Sequence, residues 1–346
     1  MATRKLGEGV AKRRVKWGVL GAASIAVRKV IPGMQQSQYC DVAAIASRDL
    51  SKARAAASTL KIGKSYGSYE ELLADSEIEA IYNPLPNHLH VPWSIKAMEA
   101  GKHVLCEKPV ALNAAEAGTL MPVRDRAAVK IGEAFMVRTH PQWLRTRELI
   151  REGRIGELRA IVGVFSYFNR DAKNVRNKPE WGGGGLMDIG CYPITMSRFM
   201  YGAEPLRVSG VLERDPDFAT DRLASAIMEF SGGQAVFMCS TQMVPYQRMQ
   251  FLGTKGRIEI EIPFNAPPDK PTRLFVDDGS DVAGAGIKIE LIPTCDQYTI
   301  QGDVFSKAIL EDREVPVPLE DAIANMAVID AIFRAAESGQ WEKPAA

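Results

Sequence analysis

Val15-Lys16-Trp17-Gly18-Val19-Leu20-Gly21-Ala22-Ala23-Ser24-Ile25-Ala26 is an apolar run that ends in a small-residue turn and then becomes helical in pattern. It reads as a buried strand, a tight turn and a helix start, the opening unit of a dinucleotide-binding fold. Three small residues serve such a unit: one for the turn, one for close approach of backbone to a pyrophosphate, one for packing of helix on strand. Gly18, Gly21 and Ala23 offer a degenerate version, with Ala22 and Ser24 as small neighbours and Ile25 leading into the helix. The helix N-terminus that follows favours an anion, because its first N–H groups lack intrahelical partners.

Downstream the same grammar continues. The segment 24–34 is short and partly helical, bent at Pro32, and 41–47 has the continuous apolarity of a parallel strand covered on both faces. Asp49 caps an Ala-rich helix over 50–60. Runs at 80–84, 103–106 and 131–137 read as strands, alternating with helices at 69–73, 90–100 and 114–127. Right-handed crossovers turn that alternation into a doubly wound parallel sheet, a dinucleotide-binding Rossmann domain placed at 15–138.

From residue 139 the pattern changes. After a helix at 142–152, runs at 158–167, 206–213, 222–230, 234–241, 246–253 and 256–262 read as antiparallel strands, interrupted by a helix at 188–200. The polar, Gly-rich stretch 269–285 reads as a surface loop, and helices at 297–311 and 319–338 pack back at the domain junction. The fold class is α/β: the Rossmann domain plus a C-terminal α/β domain, 139–346, for substrate binding and oligomerisation, with a large open, mainly antiparallel sheet. An open sheet needs its second face covered, which predicts a homodimer or homotetramer through it.

The 346 residues carry 43 Lys and Arg against 42 Asp and Glu, a net charge of +1. No global field therefore draws the chain to nucleic acid or to an anionic membrane, and small molecules are the expected partners. No apolar stretch is long enough to span a bilayer, and the basic residues 1–14 lack the apolar segment of a signal peptide. That arm reads as a flexible terminus, with a strap over a cofactor or a neighbouring subunit as the functional alternative. Five scattered cysteines with no Cys-x-x-Cys pair suggest neither a metal site nor a disulfide framework, and reduced thiols fit a cytoplasmic location.

The second strand's end decides the cofactor. A NAD site wants an acidic residue there for the ribose 2′-hydroxyl, whereas this chain has Ser47-Arg48. The Arg48 guanidinium suits a 2′-phosphate, with Ser47 and Lys52 in support, so NADP is expected; Asp49 keeps NAD open. Glu107-Lys108-Pro109 follows a buried strand at the carboxyl edge, where ligands of such sheets bind. An ammonium there lowers the cost of negative charge on a reacting oxygen. Gly182-Gly183-Gly184-Gly185 then opens a helix carrying Asp188 and Tyr192 at i,i+4, and the glycines predict a backbone brought close to something flat or bulky.

Together with Pro84-Leu85-Pro86-Asn87-His88-Leu89-His90 and Ala100-Gly101-Lys102-His103-Val104, these motifs resemble the glucose-fructose oxidoreductase / inositol dehydrogenase / MocA family from Val15 to about Gly339. The resemblance implies that Lys108, Asp188 and Tyr192 form the catalytic group. It also places Pro84, Leu85, Pro86, Asn87 and His90 with Glu107, Lys108 and Pro109 around the nicotinamide, and many members have a cis bond before the proline that matches Pro109. Many members carry His where this chain has Tyr192. Tyrosine marks a branch with glucose-fructose oxidoreductase, NADP-linked xylose dehydrogenase and dihydrodiol dehydrogenase. The implied reaction is hydride transfer between NADP(H) and a sugar or cyclic polyol carbon, with Tyr192 as acid/base, Lys108 lowering its pKa, and no metal. The alternatives are a dinucleotide-binding regulator and a reductase of nucleotide-linked ketosugars. Arg138, His140, Tyr167, Trp181 and Tyr298 are candidate substrate contacts, although each taken singly reads first as a structural residue.

Overall fold

The computed structural model describes residues 13–345. The strands are β1 (Val15–Leu20), β2 (Cys40–Ala46), β3 (Lys64–Tyr66), β4 (Ala80–Asn83), β5 (His103–Cys106), β6 (Ile131–Glu133), β7 (Leu158–Phe168), β8 (Arg207–Arg214), β9 (Asp221–Phe230), β10 (Gly233–Ser240), β11 (Gln242–Gly253), β12 (Arg257–Ile260), β13 (Thr272–Asp277) and β14 (Ile287–Ile292). β1 to β6 form one sheet in the order β3-β2-β1-β4-β5-β6, every pairing parallel. That order reverses direction at β1, which puts a ligand crevice at the carboxyl edge where β1 and β4 diverge.

The sequence-expected β1, β2, β4 and β5 stand within a residue or two of their predicted bounds, because each is an apolar run buried on both faces. Two expectations in this half need correction, and one strand has no counterpart in the sequence reading. The strand expected at 131–137 ends at Glu133 and gives way to a short 3-10 turn, Met136–Thr139. The helix expected at 114–127 is broken at Thr119 into Ala114–Gly118 and Leu120–Ala127. The short strand β3, which pairs with β2, carries no apolar alternation that would reveal it.

β7 to β14 form an eight-stranded sheet in the order β14-β13-β12-β11-β7-β10-β9-β8, antiparallel except between β10 and β7. The stretch read as a loop at 269–285 contains β13, and β14 follows it. β13 is held by a ladder with β12, and the edge strand β14 by a ladder with β13. Two rows across this sheet explain its two faces. Val276, Ile258, Phe251, Ile161, Ala235, Met228 and Val208 lie side by side and are all buried. One residue along, the row Ile289, Phe275, Glu259, Gln250, Val162, Val236, Ile227 and Ser209 is nowhere buried, so the second face of the sheet is open.

The C-terminal helices return to the first sheet. Trp17 of β1 is fully buried, donates from Nε1 to Ser306 Oγ at 3.0 Å and packs its ring 5.5 Å from Phe305, both on the helix Gln297–Leu310. The final helix, Leu319–Ser338, accepts the Ala114 N–H on Asp330 Oδ2 at 2.8 Å. The basic arm falls largely outside the described residues; its last two members are held, Arg13 to Glu79 and Arg14 to the Ser37 carbonyl. Among the described residues no helix is long and apolar enough to cross a membrane.

Candidate active site

One cleft of about 1320 Å³ runs from the carboxyl edge of the parallel sheet to the buried face of the second sheet. At its cofactor end Gly21 has φ 89°, a conformation that side chains disfavour, and its N–H donates to Ala46 O at 2.8 Å. Ala22, Ala23, Ser24, Ile25, Ser47 and Arg48 line the wall beside it, followed by Pro84, Leu85, Pro86, Asn87 and His90. Arg48 is exposed and lies beside the Tyr69 hydroxyl. Arg28 and Lys29, which nothing in the fingerprint singles out, add two cations to this wall.

Three expected cofactor residues lie elsewhere. Gly18 sits inside β1, paired with Ala44 and Ile81, and a Cβ there would come 2.7 Å from Leu72 Cδ2. Its smallness serves helix packing, not a phosphate. Lys52 is exposed on the helix Leu50–Leu60, whose cap Asp49 accepts from the N–H groups of Ser51 and Lys52. Pro109 does not line the cleft. Its peptide bond with Lys108 is cis, and its carbonyl oxygen lies 2.7 Å from His90 Nδ1 while His90 Nε2 lies 2.6 Å from Leu85 O. His90 thus staples the two loops that flank the cleft.

At the centre, Lys108 Nζ donates to the Asp188 carbonyl oxygen at 2.6 Å and lies 3.4 Å from Asp188 Oδ1. The helix that carries Asp188 starts as a π turn, Leu186–Gly190, and continues as Cys191–Tyr201, so both Asp188 and Tyr192 reach the cleft. The Asp188 Oδ2 accepts from Tyr167 Oη at 2.6 Å and from Arg176 Nε at 2.8 Å. Burial raises the Asp188 pKa, but Arg176, Lys108 and Tyr167 outweigh it and hold the carboxyl far below its ordinary value. Burial likewise opposes the Lys108 charge, and Asp188 more than restores it, so the ammonium is kept.

The relation expected between Lys108 and Tyr192 takes a different form. The ammonium stands 4.9 Å from the centroid of the Tyr192 ring, not at its hydroxyl, which lies 3.6 Å from Met136 Sδ. Burial therefore dominates and pushes the Tyr192 phenol well above its usual pKa. Glu107, half-buried and accepting from the Tyr82 hydroxyl at 2.6 Å, has its pKa pushed upward by desolvation.

The glycine run has a local reason. A Cβ at Gly182 would come 2.4 Å from Leu112 Cδ2, at Gly183 2.5 Å from Arg176 O, and at Gly184, φ 120°, 2.0 Å from Asp221 Oδ1. These are contacts with the chain itself, not with something flat. Asn87 Nδ2 donates to Gly182 O at 2.8 Å and His88 stacks on Trp181 at 5.1 Å, which joins the two halves over the cleft.

Of the substrate candidates, Tyr167, Trp181 and Tyr298 line the cleft. Arg138 does not: it pairs with Asp321 Oδ2 at 2.9 Å and lies over the Phe199 ring. His140 is buried as the cap of the helix Pro141–Arg151, its Nδ1 accepting the Gln142 N–H. Among the described residues no group of three His, Cys, Asp or Glu is arranged to hold a metal ion.

Residues 15–135 match the family model of the oxidoreductase family with an NAD-binding Rossmann fold, and residues 143–259 match that of the GFO/IDH/MocA C-terminal domain. An uncharacterised oxidoreductase of Rhizobium meliloti is 49% identical over 95% of this chain and 98% of its own. D-xylose 1-dehydrogenase (NADP(+)) 2 of Haloferax volcanii is 38% identical over 93% of this chain and 98% of its own. Among solved structures, a 3-ketoreductase from Actinomadura kijaniata in complex with NADP and TDP-benzene superposes with a TM-score of 0.87 at 27% identity, covering 93% of this chain and 98% of that one. The chain belongs to the GFO/IDH/MocA oxidoreductase family.

Proposed function

We propose that the protein transfers a hydride between NADP(H) and a hydroxyl-bearing or keto carbon of an uncharged sugar, cyclic polyol or diol. The observation that carries this reading is the meeting of Lys108, Asp188 and Tyr192 in one cleft with the carboxyl edge of the parallel sheet. The dinucleotide, when bound, supplies or takes the hydride. The lining fits it: of the cleft's charged residues, the Rossmann side contributes Arg28, Lys29, Arg48 and Lys108 against Glu107 alone, an excess of cations suited to a polyphosphate.

The charge balance changes across the cleft. On the C-terminal side Lys173, Arg176 and Arg248 face Asp171, Asp188 and Glu261, three against three. Arg176 is tied to Asp188, and Arg248 to Glu259 at 3.3 Å with Glu261 at 3.9 Å. A nucleotide-linked substrate would bring two more phosphates to a wall with no net positive charge. Uncharged substrates fit it better, and Tyr167, Tyr192 and Trp181 supply aromatic surface for their C–H faces.

In this reading the Lys108 ammonium donates to the substrate oxygen as charge develops there. Tyr192, kept as a neutral phenol by burial, is the donor that protonates that oxygen when a carbonyl is reduced, and the acceptor after losing its proton in the reverse direction. Asp188 remains an anion and holds Lys108. We place the boundary between the two functional units at residues 138 and 139, and take the open face of the second sheet as the contact between copies in a cytoplasmic homo-oligomer. The test is steady-state NADPH formation or consumption with D-xylose, D-glucose, myo-inositol, trans-cyclohexane-1,2-diol and a TDP-linked ketosugar. Turnover of an uncharged member supports the reading; turnover of the TDP-sugar alone overturns the substrate class, and binding of NADPH with no turnover of any overturns the enzyme.

A further inference from the structure

Nothing in the sequence singles out Arg176, yet it makes the closest charged contact to the Asp188 carboxylate. The two oxygens of that carboxylate have different surroundings. Oδ2 is filled by the Tyr167 hydroxyl at 2.6 Å and Arg176 Nε at 2.8 Å, while Oδ1 faces Lys108 Nζ at 3.4 Å. Two donors on one oxygen fix the rotation of the carboxylate, so the other oxygen is presented to the ammonium.

Arg176 is itself held in place. It lies in the turn Val175–Asn177, where Asn174 Oδ1 accepts its N–H at 3.1 Å, and its carbonyl accepts the Gly184 N–H at 2.9 Å. Gly183 is pressed so closely on that carbonyl that no side chain fits. The glycine run that precedes Asp188 is therefore shaped around the backbone of the residue that clamps it. The guanidinium side chain is 41% exposed and lines the cleft, so it is part of the site and not of the remote core.

We propose that Arg176 is a positioning residue of the reaction: with Tyr167 it clamps Asp188 Oδ2, so that the carboxylate stays an anion turned toward Lys108. This rests on the proposed role of Lys108 and Asp188. The groups that face Asp188 are Arg176, Tyr167 from β7, Lys108 from the loop after β5, Cys191 and Tyr192 from its own helix, and Cys239 from β10. Only two of them are cations, and burial pushes the carboxyl the other way. With Arg176 removed, only Lys108 and the Tyr167 hydroxyl are left to oppose burial, and the carboxyl takes up a proton at a higher pH than in the parent. A neutral Asp188 loses its charge attraction for Lys108.

The deciding measurement needs no substrate. Infrared difference spectra between about pH 8 and pH 5 are recorded for the full-length protein, for Arg176→Gln, and for Arg176→Gln combined with Asp188→Asn, with NADPH fluorescence as the check on folding. The expected result is a protonated-carboxyl band in Arg176→Gln that is absent from the parent and vanishes in the double variant. Arg176→Lys keeps a cation and removes the band. With D-xylose, or another aldose turned over in the panel, Arg176→Gln loses about tenfold or more in kcat between pH 8 and pH 5.5 while KM stays within about threefold. An Arg176→Gln spectrum that matches the parent overturns the proposal, as does a loss confined to KM, which would make Arg176 a substrate contact. If Arg176→Gln does not fold, Tyr167→Phe removes the other donor from the same oxygen; the same band at lower pH supports the clamp and its absence overturns it. Failure of Lys108→Ala to affect turnover would instead overturn the underlying role of Lys108.

Discussion

Lys108 is held twice by one residue: its Nζ donates to the backbone carbonyl of Asp188 at 2.6 Å and lies 3.4 Å from that residue's Oδ1. The ammonium follows the parallel sheet's β5 and its holder lies on the helix packed against the second sheet, so the pair bridges the two sides of the cleft. Loss of the ammonium should remove charge stabilisation at the reacting oxygen. Lys108→Ala is expected to lower kcat by about 10²- to 10⁴-fold with NADPH affinity changed far less. Tyr192→Phe should do likewise, and turnover within twofold of the parent for either variant would remove the assignment.

Arg48 is exposed in the cofactor wall beside buried Ser47, where a 2′-phosphate would be met. Arg48→Ala should weaken NADP binding by about 10- to 100-fold, the range of one charge-assisted hydrogen bond, and NAD binding by less than about threefold. Dissociation constants from NADPH and NADH fluorescence titrations decide it. Equal losses would mean that Arg48 does not read the phosphate.

Gly18 and Gly21 look alike in sequence and should behave oppositely. A methyl group at Gly18 meets Leu72 Cδ2 at 2.7 Å, so Gly18→Ala is expected to cost about 1–3 kcal/mol by overpacking while the folded fraction binds NADP normally. At Gly21 the φ of 89° and Leu85 Cδ2 at 3.1 Å oppose any side chain next to the cofactor wall. Gly21→Ala should therefore lose cofactor affinity as well as stability. Thermal melts paired with NADPH titrations separate the two.

Glu133 ends β6 with Oε1 accepting the Val110 N–H at 2.8 Å and with Oε2 buried without a partner. Burial pushes its pKa up to about 8 from the ordinary 4.5. Because the folded value is raised, its contribution is fully present below about pH 4.5 and is lost as the pH rises through about 8. Glu133→Gln should flatten that dependence. At pH 9 it is expected to be more stable than the parent by a few kcal/mol at most, since each pH unit between the folded and unfolded pKa values is worth about 1.4 kcal/mol. At pH 5 the two should differ little. Denaturant midpoints at the two pH values measure it, and parallel pH profiles would sink the idea.

Wherever burial alone sets the structure, the sequence is enough. β1, β2, β4 and β5 are predominantly apolar runs, and Asp49 caps its helix through short-range hydrogen bonds, so the parallel half is legible in order and nearly in its bounds. Lys108, Asp188 and Tyr192 are nameable for a related reason, since each stands in a local motif of strand end or glycine turn. What the sequence leaves open depends on partners far along the chain. β13 is a strand because β12 offers a ladder and β14 because β13 does, and the polar, Gly-rich stretch 269–285 that holds β13 reads as a loop on its own. Gly18 reads as a phosphate residue until Leu72 is seen against it, and Arg138 and His140 read as pocket residues until Asp321 and Gln142 take them. Arg176 belongs to the site only because the turn Val175–Asn177 carries its guanidinium to the carboxylate twelve residues away in sequence. Side-chain identity is local, whereas charge pairing depends on distance in space, and only the tertiary structure brings Arg176, Tyr167 and Lys108 to one carboxylate.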